Sequence, residues 1–161
     1  MIRLEAERPE HGAAVEDVLD AALGPERRTK TCEILRAGRS PLRGPSLVAL
    51  DGGRLVGAVR FWPVRVGRKR ALMLGPLGVM PGWERRGIGG LLVRKGLKRA
   101  RRQGERGVFL VGDASYYARF GFDAAATRGW TLPGPVEAAR FLARSLAPHG
   151  LDGAAGAVAA A

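Results

Sequence analysis

Leu74–Phe122 reads LGPLGVMPGWERRGIGGLLVRKGLKRARRQGERGVFLVGDASYYARFGF. The stretch opens inside an uncharged run, Ala71–Val79 (ALMLGPLGV), whose lack of alternation predicts a strand buried on both faces. Gly75-Pro76 interrupts that run. Proline has no N–H for a ladder, and glycine inside a strand marks a bulge or a close backbone approach. The strand is therefore expected to splay from one neighbour and to leave backbone N–H and C=O groups free around Leu77, Gly78 and Val79.

Pro81-Gly82 then turns the chain, and Glu84-Arg85-Arg86-Gly87-Ile88-Gly89-Gly90 leads into a periodic segment. At about 100° per residue, Leu92, Val93, Gly96, Leu97 and Ala100 share one face, with Arg94, Lys95, Lys98, Arg101 and Arg102 on the other. Gln103-Gly104 is the expected stop. A glycine-rich turn at a helix start presents unpaired N–H groups at the positive end of the helix dipole, which suits a phosphate or diphosphate. Two nucleotide motifs are excluded. After Gly87 and Gly89 the third position of a G-x-G-x-x-G pattern is Leu92, and no G-x-x-x-x-G-K-[ST] run exists.

Beyond a second apolar strand, Val108–Val111, the stretch ends in Tyr116-Tyr117-Ala118-Arg119-Phe120-Gly121-Phe122. Loop, helix, strand and a tyrosine four residues before Gly-Phe, in that order, resemble the Gcn5-related N-acetyltransferase (GNAT) superfamily, especially its small bacterial branch of unassigned substrate. The loop pattern of that family is [Gln/Arg]-x-x-Gly-x-[Gly/Ala]. It is matched by Arg86-Gly87-Ile88-Gly89, flanked by Arg85 and Gly90, with Glu84 standing where Gln or Arg is usual.

The resemblance implies an α/β (α+β) acyl-CoA N-acyltransferase fold: a mixed, mostly antiparallel central sheet, splayed at its fourth strand and flanked by helices. It implies acetyl-CoA as cofactor, the pantetheine lying beside Leu77, Gly78 and Val79 and the diphosphate on Arg85, Arg86, Gly87, Ile88, Gly89 and Gly90. The acceptor would be a primary amine of a small molecule or peptide. Tyr117 matches the family's general-acid position and would also touch the cofactor. For the oxyanion, the free N–H of Val79 is the expected donor. The splayed strand has no carboxylate, which leaves Asp113 as the best-placed acid, alternatively a cap for the short helix at Ser115, and Glu33 behind it. Glu84 and the missing base motivate a competing reading, an acyl-CoA-binding sensor with weak or no transferase activity.

The rest of the chain is consistent with one domain over residues 1–161. Ile2–Arg8 alternates like an edge strand, Glu10–Leu23 and Thr29–Ala37 have helical spacing, and Ser46–Leu50 with Arg54–Val66 forms a hairpin about Asp51-Gly52-Gly53. Trp62, inside that hairpin, reads as core. Trp130–Leu132 and Phe141–Leu146 are further strands, the second by the resemblance, since Val136–Leu146 itself has helical spacing. The Ala/Gly-rich tail, Gly150–Ala161, is expected to be poorly held unless Val158 docks. A homodimer through the C-terminal strand is one arrangement this leaves open.

Lys and Arg total 27 against 15 Asp and Glu, a formal charge of +12, and four of those cations are lysines (Lys30, Lys69, Lys95, Lys98). With no zinc pattern, recognition-helix signature or basic tail, the charge reads as a solvated surface partly serving cofactor phosphates, in preference to nucleic acid. The lone Cys32 excludes an internal disulfide and a cysteine metal cluster, and no metal is expected. The sequence lacks a basic-then-apolar leader and any run of about 18 apolar residues, so a cytoplasmic location without a membrane partner is expected.

Overall fold

The computed structural model describes residues 1–161. Eight strands, β1 (Ile2–Ala6), β2 (Leu47–Asp51), β3 (Arg54–Val66), β4 (Lys69–Val79), β5 (Gly107–Val111), β6 (Trp130–Thr131), β7 (Phe141–Ser145) and β8 (Gly156–Ala160), accompany four helices. These are α1 (Gly12–Leu23), α2 (Glu33–Arg36), α3 (Ile88–Arg102) and α4 (Ala114–Tyr117). The main sheet runs β1-β2-β3-β4-β5-β7, with every neighbouring pair antiparallel except β4 and β5.

The two faces of the sheet are covered differently. Leu92, Val93, Leu97 and Ala100 of α3 pack with Leu47, Val59, Phe61 and Leu72 on one face. A Cβ on Gly96 would stand 2.5 Å from Phe61, so glycine is what lets α3 lie this close to the sheet. On the other face, Val15 and Leu19 of α1 meet Val48 and Ala58, while Leu35 of α2 meets Trp62, Val64 and Met73.

The expected strands and helices are present with shifted ends. The second helix shrinks to Glu33–Arg36, the segment before it being a 3₁₀ turn (Pro25–Thr29). The tail is a correction to the sequence reading. Gly156–Ala160 is a strand, antiparallel to β3 at Val64–Val66 and parallel to β6, and Val158 is 4% exposed. Docking of that valine, with ladder bonds to a strand some 90 residues earlier, holds a segment that has no helical or strand periodicity of its own.

An ion-pair network ties α1 to the middle of the sheet. Arg60 of β3 makes a two-pronged pair with Glu7 (Nε–Oε1 3.0 Å, Nη2–Oε2 2.8 Å) and a third bond to Glu16 of α1 (2.6 Å). Burial alone would raise the Glu16 pKa, but bonds from Arg27 and Arg60 outweigh it and hold the carboxyl below its usual range. The side chains of Arg60 and Glu7 are only 11% and 7% exposed. Removing one partner would strand a buried charge, which costs far more than the pair itself contributes. Arg60→Ala is accordingly expected to lower unfolding stability by about 3–5 kcal/mol, read from urea denaturation; a loss comparable to that of a surface pair would contradict this account.

The crevice between the splayed strands and the loop

Strands β4 and β5 pair only at Leu72–Val108 and Met73–Phe109, and then part. The cause lies in β4. Between Phe61↔Leu74 and Val59↔Leu77 the register shifts by one residue, so Gly75 and Pro76 together oppose Arg60 as a bulge. Gly75 has φ +132°, a conformation L side chains rarely adopt. Its carbonyl accepts a hydrogen bond from the indole Nε1–H of Trp62 at 2.6 Å. Trp62, 5% exposed, is thus a core residue, as expected, and it also fixes the bulge.

Alternation along β4 then sets the direction of the remaining backbone groups. Met80 N–H bonds to Val56 O of β3 (2.7 Å), so Gly78, in phase with it, also faces β3. Leu77 and Val79, out of phase, turn their N–H and C=O toward the gap left by β5. Of the three residues singled out from sequence, two therefore offer free groups. Gly78 contributes closeness instead: a Cβ there would lie 3.1 Å from Leu19 and Ala22 of α1.

At the C-terminal end of β4 the chain enters the glycine-rich loop. Arg85 and Gly87 both have positive φ (63° and 77°), which curls the loop into the start of α3. The first N–H to close the helix is that of Leu91, on Gly87 O (3.0 Å), and no side chain caps the end. The amides of Ile88, Gly89 and Gly90 consequently carry no protein hydrogen bond, while the Ile88 side chain is buried in the core. Glu84, the departure from the family's pattern, folds its carboxylate back onto the N–H of Gly82. Trp83, which sequence reasoning passed over, anchors the loop: its Nε1–H donates to Asp51 (2.9 Å) at the tip of the β2–β3 hairpin, and Arg54 and Arg86 lie over its ring. A lone tryptophan among glycines and arginines was the available signal.

A crevice of about 320 Å³ opens here, lined among others by Val79, Arg85, Gly87, Gly89 and Gly90. Tyr116 lines it too. Its hydroxyl is 3.4 Å from where a Cβ on Gly89 would stand, so a side chain at residue 89 would begin to fill the cradle. Arg86 is drawn to Trp83, and Leu77 lies deeper, toward the point where the strands part.

Tyr117 sits further in than Tyr116. Its ring packs edge-on to Phe122 (5.9 Å between centroids) and to Tyr116 (4.9 Å), with one edge against Gly112 just past β5. Extending the Met73–Phe109 register puts Gly112 level with Pro76, on the β5 side of the gap. Burial, with the charge of Tyr116 adding to it, pushes the Tyr117 pKa up to about 12. The phenol therefore keeps its proton at neutral pH.

Asp113 is an N-cap, the alternative its place before Ser115 offered in the sequence. Its Oδ1 accepts from Ser115 Oγ (2.9 Å) and Ser115 N–H (3.0 Å); these bonds lower its pKa, and the side chain is exposed. A carboxylate so stabilised is a poor proton acceptor. Glu33 lies across the sheet, paired with Arg36 (3.2 Å), whose Nη1 is 3.6 Å from the Cβ position of Gly75. That pair borders the α2 side of the bulge. Cys32 beside it is buried, and burial raises its thiol pKa, as expected of a packing residue.

Comparisons with known proteins agree with this geometry. Residues 13–122 match the family model "Acetyltransferase (GNAT) family". The uncharacterized N-acetyltransferase YjhQ of Escherichia coli is 36% identical over 98 residues, a match covering 56% of this chain and 53% of YjhQ, so about half of that relative's length is spanned. The uncharacterized N-acetyltransferase YhbS of the same organism is 34% identical over 115 residues (70% and 69% of the two chains). The crystal structure of YhbS in complex with CoA superposes with a TM-score of 0.85, at 27% identity, covering 99% of this chain and 89% of that one. A GNAT family acetyltransferase from Brucella melitensis in complex with acetyl-CoA gives 0.75, at 32% identity, covering 100% and 96%. With a family model matched across both the splayed strand and the loop, this chain belongs to the GNAT acetyltransferase family.

Proposed function

We propose that residues 1–161 act as one domain that moves an acetyl group from acetyl-CoA to a primary amine of a small molecule or peptide, by direct attack with both substrates bound. The observation that carries this reading is the gap between β4 and β5. It exposes the Leu77 and Val79 amides along one wall and ends at the three unpaired amides of α3. A strand-like chain with a diphosphate at one end has partners along that whole path, which is the chemistry of pantetheine diphosphate. The CoA and acetyl-CoA complexes of the similar structures support it.

When bound, acetyl-CoA supplies an activated thioester; this chain's residues supply the rest. The amides of Ile88, Gly89 and Gly90 receive the diphosphate, with Arg85 adding charge. Leu77 and Val79 pair with the pantetheine arm and offer an N–H to the thioester carbonyl oxygen as it gains negative charge. Val79 is joined in that role by Leu77, which is nearer the point where the strands part. The amine lone pair forms the new C–N bond, the C–S bond breaks, and Tyr117 gives its proton to the departing sulfur. The amine's surplus proton leaves toward solvent. A second reading, an acyl-CoA sensor, is favoured by one observation: Asp113, held by Ser115, is no longer poised as a base.

Tyr117→Phe is expected to lower kcat about 10²–10⁴-fold with little change in acetyl-CoA affinity, measured by stopped-flow turnover and calorimetry. The acid works in its protonated form and its pKa is raised, so its contribution should persist through pH 9 and fall only as pH climbs toward about 12. Unchanged turnover in Tyr117→Phe, or an alkaline limb below pH 9 that persists in that variant, would place the proton donor elsewhere, and acetyl-CoA binding without consumption across an amine panel would favour the sensor. Gly87→Ala meets no neighbouring atom within 4 Å, so it acts on the backbone alone. It should destabilise the loop by about 1–2 kcal/mol and weaken inorganic pyrophosphate binding; unchanged binding would place the anion elsewhere.

A further inference from the structure

Three arginines of this chain are buried: Arg27, Arg36 and Arg60, at 7%, 9% and 9% exposure. A guanidinium donates from Nε and from both Nη groups, and folding normally meets those donors before it takes the group out of water. Arg60 follows that rule, its Nε and both Nη groups bonding to Glu7 and Glu16. Arg27 bonds through Nε to Asp20 (3.0 Å) and through Nη2 to Glu16 (2.9 Å). Arg36 departs from it. Its Nε bonds to Glu33 Oε2 (3.2 Å), and neither Nη group bonds to the protein. Neither is sealed from solvent, so this end of the side chain meets open space and not packed core.

An ion pair that only stabilised α2 would explain the Nε bond but not the direction of the other end. Nη1 reaches to 3.6 Å from the Cβ position of Gly75, beside the point where β4 leaves β5. Leu77, Val79 and Tyr117 pack against the cluster on the α3 face, whereas Cys32 and Leu35, which flank Glu33 in the chain, belong to the cluster on the opposite face. The free end of Arg36 therefore stands at the gap on the face away from the loop crevice. A second substrate entering from that face meets this guanidinium close to where the thioester would lie.

With Nε taken, the Nη1–Nη2 edge is the one left, and that edge matches the two oxygens of a carboxylate. Beside it, Oε1 of Glu33 carries no bond and is an acceptor for an ammonium. We propose that Arg36 selects the acceptor, an α-amino acid whose carboxylate lies on the Nη edge and whose amine, set beside Glu33, turns toward the gap. The proposal rests on the acetyl-transfer reading above and narrows its acceptor to amines that carry a carboxylate.

Steady-state kinetics over the common L-amino acids, each paired with its amide, test it. At least one acid should be acetylated with kcat/KM about 10- to 100-fold above that of its amide, as expected for charge-assisted bonds to one carboxylate. In Arg36→Gln that ratio should fall toward unity through a higher KM for the acid, with the KM for acetyl-CoA unmoved. Arg36→Lys keeps the charge but loses the fork, and should restore part of the ratio; thermal melts of both variants separate these effects from loss of the fold. Amides acetylated as well as the acids, or a ratio that survives Arg36→Gln, would overturn the carboxylate site and leave acetyl transfer standing. Turnover of other amines but of none of the amino acids would do the same. No turnover of any amine would overturn the transferase reading itself.

Discussion

The hydrogen bond from the Trp62 indole to the Gly75 carbonyl holds the feature on which the site depends, a bulge that makes β4 part from β5. A parallel pair of buried strands would ordinarily zip along its whole length, because an unpaired buried amide costs about 1–3 kcal/mol. Here pairing stops after two residues. Pro76 has no N–H to give, Gly75 takes a conformation that turns the ladder, and the carbonyl freed by the turn is met by Trp62. On β3, opposite the bulge, Arg60 is locked to Glu7 and Glu16, so the partner strand cannot slide to restore the register. Packing and charge together keep open a gap that backbone hydrogen bonding would close.

At the other end of the crevice the constraint is electrostatic. The unpaired amides of α3 sit at the positive end of a 15-residue helix. Their aim depends on a loop that has few apolar contacts of its own, and Trp83 compensates by tethering the loop to Asp51 on the β2–β3 hairpin. The carboxylate of Glu84 would oppose an anion if it pointed at those amides. Its bond to the Gly82 N–H turns it back onto the loop, which reconciles an acidic residue at that position with an anion site. One end of the crevice thus orders backbone donors along a strand, and the other gathers them at a helix start.

Much of this was legible in the sequence because it is local. The uncharged run with Gly75-Pro76 inside it, the face of Leu92, Val93, Gly96, Leu97 and Ala100, and the Tyr117–Phe122 spacing each depend on residues close together in the chain. What was not legible depends on distant partners. The tail strand is held by β3 and β6, and nothing in an Ala/Gly run announces a ladder partner 90 residues away. Asp113 reads from sequence as a cap or a base, and it takes the position of Ser115 Oγ to show that it caps. The positions of Leu77 and Val79 suggested free amides, but the phase that turns them outward and Gly78 inward is set by the register with β3. The Arg36 guanidinium needed α2 to meet the bulge before it could be seen beside Gly75.

The formal charge of +12 makes sense once it is divided by location. Arg27, Arg28 and Arg60 answer Glu7, Glu16 and Asp20 around α1, Arg36 answers Glu33, and Arg70 answers Glu105. Those cations balance local carboxylates and add little to the field. Helix α3 is different, with Arg94, Lys95, Lys98, Arg99, Arg101 and Arg102 in one helix that contains no acidic residue. Part of the excess is therefore gathered on α3 beside the loop, the rest being spread over other elements. A field of that shape steers a small polyanion toward the crevice and has its largest effect on the rate of capture at low ionic strength.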